Sequence, residues 1–228
     1  MSTAEVSRST IVDRYHETTS KSRALYERAT RSLPGGNTRT TLYMQPYPCY
    51  FDHGIGCRVY DADGNERIDF INNYTSLILG HAHPKIVAAV QQQAAHGMSA
   101  AAPSELEIAL AEALKSRLPS IDHLRFTNSG TEATMLALRA ARAYTGREKI
   151  GKIDGSYHGS HDYAAVGAEN IGIPAAVAET IVMLPFNDPR AAEQIISAHR
   201  RELAAVIVEP VMGAGGVIAA QPEFLTFL

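Results

Sequence analysis

Three short stretches of this sequence hold residue types that do chemistry together. Ser129-Gly130-Thr131 sits where an apolar run stops and a long Ala- and Leu-rich helix begins. Two hydroxyls around a glycine suit an anion there. First-turn N–H groups have no partner within a helix, the helix dipole favours negative charge, and glycine lets a ligand reach the backbone. The competing reading is an ordinary Ser or Thr cap on a tight strand-to-helix turn. Tyr157-His158 lies between Gly155 and Gly159 after a second apolar run. An aromatic face there either stacks on a flat heterocycle or packs under its own loop. Glu209 ends a third run, "AAVIVEP", as a ligand contact or as the cap of the Gly-rich loop behind it.

Anion cradle, ring stacker and carboxylate at three strand ends together describe a site for a phosphorylated aromatic cofactor, since open α/β sheets bind ligands at the carboxyl ends of their strands. No GxxxxGK[ST] is present, and "NSGTEA" lacks the G-x-G-x-x-G spacing, so P-loop and dinucleotide sites are excluded. The pairs His81/His83 and His158/His161 have no carboxylate or thiol cluster beside them. No metal is expected there, and His83 reads as the cap before Pro84.

The elements that must position these residues follow from periodicity and punctuation. "SKSRALYERATRSLPGG" reads as an amphipathic helix stopped by Pro34-Gly35-Gly36. In "CYFDHGIGCRVYDADGNERIDFI", glycines separate three β-rich runs, the pattern of an antiparallel meander. Helices are predicted over "HPKIVAAVQQQAAHG", with Pro84 first, and over "SELEIALAEALKSRLP", with a Ser104/Glu107 capping box. After these, strands ("HLRFTN", "KIGKI", "TIVMLPF", "AAVIVEP") alternate with helices, the mark of a mostly parallel sheet covered on both faces. The domains expected are a mobile polar segment over 1–19, a small N-terminal helix and meander over 20–79, and a cofactor-binding large domain over 80–228. "PEFLTFL" at the end reads as a helix that buries nothing, an α/β pattern interrupted.

The net charge of −3, without a basic stripe, disfavours nucleic acid and anionic membrane, and no apolar run reaches the ~20 residues of a membrane span. The polar N-terminus has no signal core. Two cysteines, Cys49 and Cys57, make no disulfide framework and fit a reducing cytoplasm.

"FTNSGTEATMLALRAAR", "GSYHGSHD", "VIVEPVMGAGG" and "YDADGNERIDF...LGHAHP" together resemble the class III aminotransferases, pyridoxal-phosphate enzymes of fold type I, over residues 25–228. The resemblance implies an α/β large domain with a mostly parallel sheet, a small-domain meander before it, and pyridoxal 5'-phosphate as cofactor. It implies that Ser129, Gly130 and Thr131 bind the phosphate and that Tyr157 covers the pyridine ring, with His158 beside it and Glu209 near it. "LPGGNTRTTLYMQPYP" departs from the glutamate-1-semialdehyde aminomutase pattern, which looks like PGG-V-N-S-P-V-R, and is closer to β-phenylalanine-type aminotransferases. That likeness implies that Arg39 grips the substrate carboxylate, a task its planar fork suits. The alternative is a surface arginine in a flexible loop.

The resembled family also needs a Schiff-base lysine and an Asp that keeps the ring nitrogen protonated, both C-terminal to the Glu-Pro loop. None of the five lysines (Lys21, Lys85, Lys115, Lys149, Lys152) stands in that context. The expectation is an N-terminal fragment with no catalytic residue of its own, inactive alone and a homodimer when complete. The activity implied is amino transfer between an amino acid, a β-amino acid included, and a keto acid. The rivals are glutamate-1-semialdehyde 2,1-aminomutase and a non-catalytic cofactor-binding or subunit-pairing module.

Overall fold

Turn chemistry shapes the first sheet. β1 (Phe51–Ile55), β2 (Arg58–Asp61) and β3 (Glu66–Ile68) form an antiparallel meander in that order. Gly56 and Gly64, in the two connections, hold positive φ that a side chain would resist. The computed structural model describes residues 3–167 and 170–228. Contacts divide the chain into two compact units, Met1–Pro103 and Ser104–Leu228.

In the first unit the turn carboxylates tie the meander to its helices. Asp63 takes the N–H groups of Lys21 (2.6 Å) and Ser22 (2.9 Å) and the Ser22 hydroxyl (2.7 Å), capping the Ser20–Ala29 helix. Burial opposes ionisation of Asp61, yet hydrogen bonds from Asn65 and Arg67 outweigh it and hold the carboxyl below its ordinary range. The unit reaches past residue 79, where sequence divided it. Gly56 and His81 exchange both backbone hydrogen bonds (2.9 and 2.8 Å), and this bridge keeps the following Pro84–Ala94 helix with the meander side.

The first polar segment holds a helix. Thr3–Thr18 is a helix, and residues 1 and 2 lie outside the described residues. The Tyr15 hydroxyl donates to Tyr47 O (2.6 Å) and His16 Nδ1 lies 3.2 Å from the Tyr47 hydroxyl, so a helix without an apolar stripe is held by two side chains near its end.

The second unit is an α/β layer structure. β4 (Lys149–Ile153), β5 (Ile181–Leu184) and β6 (Leu203–Ile207) are parallel, in the order β5-β4-β6. β5 and β6 are continuous apolar runs, as a sheet covered on both faces requires, whereas β4 carries Lys149 and Lys152 among its isoleucines. Ile150 and Ile181 pack with Leu138 and Val166 in one cluster, whereas Ile153 and Leu184 pack with Ala192, Leu203 and Phe224 in another. Odd spacing along a strand sends those side chains to opposite faces. The helices Glu105–Arg117, Gly130–Thr145 and Pro189–His199 begin at Ser104, Ser129 and Asp188, the first two being caps the sequence marks. β7 (Val211–Met212) and β8 (Ile218–Ala219) make a small antiparallel ribbon after the Glu-Pro turn.

Two expectations fail here. "HLRFTN" is not a strand: residues 123–127 have no pairing partner among the described residues, and an extended apolar run becomes a strand only beside another. The final segment does bury something. Phe224, in the Pro222–Phe227 helix, is 0 % exposed and meets Phe186 edge-on at 5.6 Å. No helix among the described residues is long and apolar enough to cross a membrane.

Candidate functional site

The start of the Gly130–Thr145 helix is built to leave donors free. Ser129 is the N-cap in extended conformation, and its Oγ accepts from Glu132 N (3.2 Å). Glu132 reaches back with Oε2 to Asn128 N (2.7 Å), and Thr127 Oγ1 donates to Ser129 O (2.9 Å). Among the described residues, no acceptor takes the Gly130 or Thr131 N–H groups. Thr131 Oγ1 in turn accepts from Ser160 N (3.3 Å). Both hydroxyls therefore act as acceptors within the protein and keep an O–H to donate. A Cβ on Gly130 would meet nothing within 4 Å, so the turn is open on that side. Two free amides and two hydroxyls thus sit together at a helix N-terminus, a donor set that suits an anion.

The loop after β4 is fastened to this helix start. Gly159 has φ +100°, and a Cβ there would lie 2.7 Å from Thr131 Oγ1. Thr134, one turn into the helix, donates to His158 O (2.7 Å) and lies 3.2 Å from His161 Nε2. Sequence reading overlooked Thr134; its signal is a hydroxyl three residues beyond Thr131, hence on the same helix face.

Glu209 takes part in the protein's own bonding. Its Oε2 takes Tyr157 N (2.9 Å) and its Oε1 takes Gly213 N (3.2 Å), stapling the β4 loop to the loop after β6. β4 and β6 are neighbours with Lys152 opposite Ile207, so these loops leave adjacent strand ends. Tyr157, anchored through its backbone, keeps its side chain 62 % exposed and open to stack on a ring. His158 is the reverse, 7 % exposed with Nε2 unpartnered. Burial pushes its imidazole below the ordinary range; Glu209 opposes this, and Lys152 and His161 add to it. The buried Lys152 amine donates to Val166 O (2.8 Å), and burial lowers its pKa as well.

The structure thus brings Ser129, Gly130, Thr131, Tyr157, His158 and Glu209 into one linked assembly. Arg39 belongs to the first unit. It is exposed beside a pocket of about 380 Å³ lined by Leu33, Pro34, Asn37 and Tyr43 among others. His83 occupies the N-cap position before Pro84 without a side-chain capping bond, and His81 pairs with Asp69 (2.7 Å), a partnership the sequence did not suggest. No group of three metal-ligating side chains occurs among the described residues.

Comparison with known proteins adds ancestry. The profile of the Aminotransferase class-III family matches residues 42–228. The glutamate-1-semialdehyde 2,1-aminomutase of Thermoplasma acidophilum is 44% identical over 217 residues, covering 91% of this chain and 52% of that protein. An omega-transaminase structure from Sphaerobacter thermophilus shares 52% identity with a TM-score of 0.86, covering 90% of this chain and 50% of that one. A β-phenylalanine aminotransferase structure from Variovorax paradoxus shares 38% identity with a TM-score of 0.87, covering 95% and 49%. The chain spans about half the length of these relatives.

Proposed function

This chain belongs to the class III aminotransferases, pyridoxal-phosphate-dependent enzymes of the α/β fold type I, and from that premise we propose that it supplies the phosphate- and ring-binding part of a transaminase. The reaction is amino transfer between an amino acid, β-amino acids included, and a keto acid. The observation that carries this reading is the donor set at Ser129–Thr131, whose N–H groups have no acceptor among the described residues and whose turn is open beside Gly130. That donor set, an exposed tyrosine ring and a buried unpartnered imidazole nitrogen fit a phosphorylated aromatic group.

Bound pyridoxal phosphate supplies an electron sink for charge developing beside the amino nitrogen. The chain's residues hold and orient it. Ser129, Gly130 and Thr131 grip the phosphate with preorganised donors that need no rearrangement. Tyr157 covers the ring, and Glu209 sets its position through the Tyr157 N–H. His158, kept neutral by burial, offers Nε2 beside the ring. Arg39 takes the substrate carboxylate in bidentate fashion. We assign proton transfer to a lysine outside these 228 residues, and the working state to a cytoplasmic homodimer. The cytoplasmic assignment rests on a sequence with two cysteines, too few for a disulfide framework.

The similarity to the Thermoplasma enzyme favours a second reading, aminomutase. Product analysis of the natural full-length protein separates the two. Without a keto acid a transaminase stops after one equivalent of product per site; an aminomutase isomerises glutamate-1-semialdehyde over many turnovers with none present, and that result would overturn the first reading.

A further inference from the structure

Four consecutive non-glycine residues, Asn72, Asn73, Tyr74 and Thr75, have φ of 50°, 47°, 55° and 68°. L-residues enter this left-handed region singly, and bulky or β-branched ones avoid it. A left-handed turn of four is therefore imposed by its surroundings. Asp69 Oδ1 accepts from Ile71 N (2.9 Å) and Asn72 N (2.8 Å), while its Oδ2 is held by His81. Tyr74 OH donates to Thr41 Oγ1 (2.8 Å), which ties the turn to the loop that carries Arg39. Strain of this kind gathers where side chains are aimed at ligands.

The turn aims one group at Arg39, whose Nη1 donates to Asn73 Oδ1 at 3.1 Å. The amide's orientation is determined locally. Ser76 Oγ donates to Asn73 O (2.9 Å), so it can only accept from Asn73 Nδ2 (2.9 Å), which leaves Oδ1 toward the guanidinium. Asn37 Oδ1 fixes the Arg39 backbone N–H at 2.8 Å. Among the described residues, no carboxylate lies within ion-pair distance of Arg39. A neutral partner holds the fork yet leaves its charge whole, and one of five N–H donors in use leaves an edge for a carboxylate.

We propose that Asn73 is a positioning residue: from the left-handed turn it fixes the Arg39 guanidinium for a substrate carboxylate without neutralising it. This rests on the reading of Arg39 as the carboxylate grip. The test uses the full-length enzyme with its cofactor and a panel of monocarboxylates, acetate to 3-phenylpropanoate, each titrated against its own neutral amide. Asn73→Asp should lower the carboxylate-over-amide preference at least tenfold by pairing with Arg39. Asn73→Gly, whose backbone suits the turn, should lower it a few-fold and raise KM for an amino-acid substrate with little change in kcat. Retained amide binding reports that each variant is folded. If either folded variant keeps the wild-type preference while Arg39→Ala abolishes it, the positioning role is wrong and the Arg39 reading survives. If the wild-type protein shows no preference, or Arg39→Ala leaves it intact, the Arg39 reading fails and the proposal with it.

Discussion

Gly159 is the point at which the Tyr157 loop presses on the start of the Gly130–Thr145 helix. A Cβ there would sit 2.7 Å from Thr131 Oγ1 and 2.8 Å from Thr131 Cα, at φ +100°. Gly159→Ala therefore imposes backbone strain of about 1–3 kcal/mol and overpacking of about 1–3 kcal/mol. Relief requires the loop to move off the helix, breaking the Ser160 N–Thr131 Oγ1 and Thr134 Oγ1–His158 O bonds, or the helix start to shift. Either movement displaces the Thr131 hydroxyl from the donor cradle. If about 3 kcal/mol of the cost falls on the bound state, affinity for pyridoxal phosphate drops about 10²-fold, at 1.4 kcal/mol per factor of ten. The assay is equilibrium titration followed by cofactor absorbance, with circular dichroism to establish folding. A folded Gly159→Ala protein that binds the cofactor within about threefold of wild type, well under one factor of ten, would refute the reasoning.

Gly130→Ala makes the complementary case: with nothing within 4 Å of the added Cβ, the free protein should be unchanged or stabilised by about 0.5–1 kcal/mol. Cofactor affinity should nevertheless fall, because the methyl fills the anion's approach; calorimetric titration reads both effects. Phe224→Ala removes a ring that is 0 % exposed and should cost about 3–5 kcal/mol, measured by urea unfolding. A loss under about 1 kcal/mol would show that the last helix is not part of the core. Burial lowers the pKa of His158 and, with Asp162 opposing and Arg142 reinforcing, that of His161. Between the folded values and the unfolded value of about 6.5, the unfolded chain binds more protons, so stability rises with pH and is lost as pH falls through that window. Unfolding free energies at pH 5.5 and 7.5 should differ less in a His158→Gln/His161→Gln protein than in wild type. The lowered Asp61, Asp63 and Asp69 act at more acid pH, below their unfolded value of about 3.9.

Features set by local chemistry were legible in the sequence. The caps Ser104 and Ser129, the glycine turns of the meander and the three parallel strands all follow from residue type and period. The apposition of Tyr157 with Glu209 follows once the adjacent ends of β4 and β6 are assembled. What stayed hidden depends on distant partners. Residues 123–127 have the apolar pattern of a strand but no neighbour to pair with. Phe224 gains its burial from a pocket made by residues 153–212, and the Thr3–Thr18 helix is held through Tyr47, almost thirty positions beyond its end. The left-handed turn at 72–75 contradicts local preference at Tyr74 and Thr75, so no propensity argument reaches it. Glu209 could be read as ligand contact or cap, and in the structure it accepts from two backbone amides, contacts no sequence pattern specified.

The central claim is that the Ser129–Thr131 turn grips the phosphate of pyridoxal phosphate. The most direct measurement compares dissociation constants for pyridoxal 5'-phosphate and pyridoxal in the natural full-length protein and in its Ser129→Ala/Thr131→Val variant. The account predicts that wild type prefers the phosphorylated form by about 10²-fold or more, as two or more charge-assisted hydrogen bonds imply, and that the variant loses most of this preference. Equal affinity for the two compounds in wild type, or an undiminished preference in the variant, would contradict it.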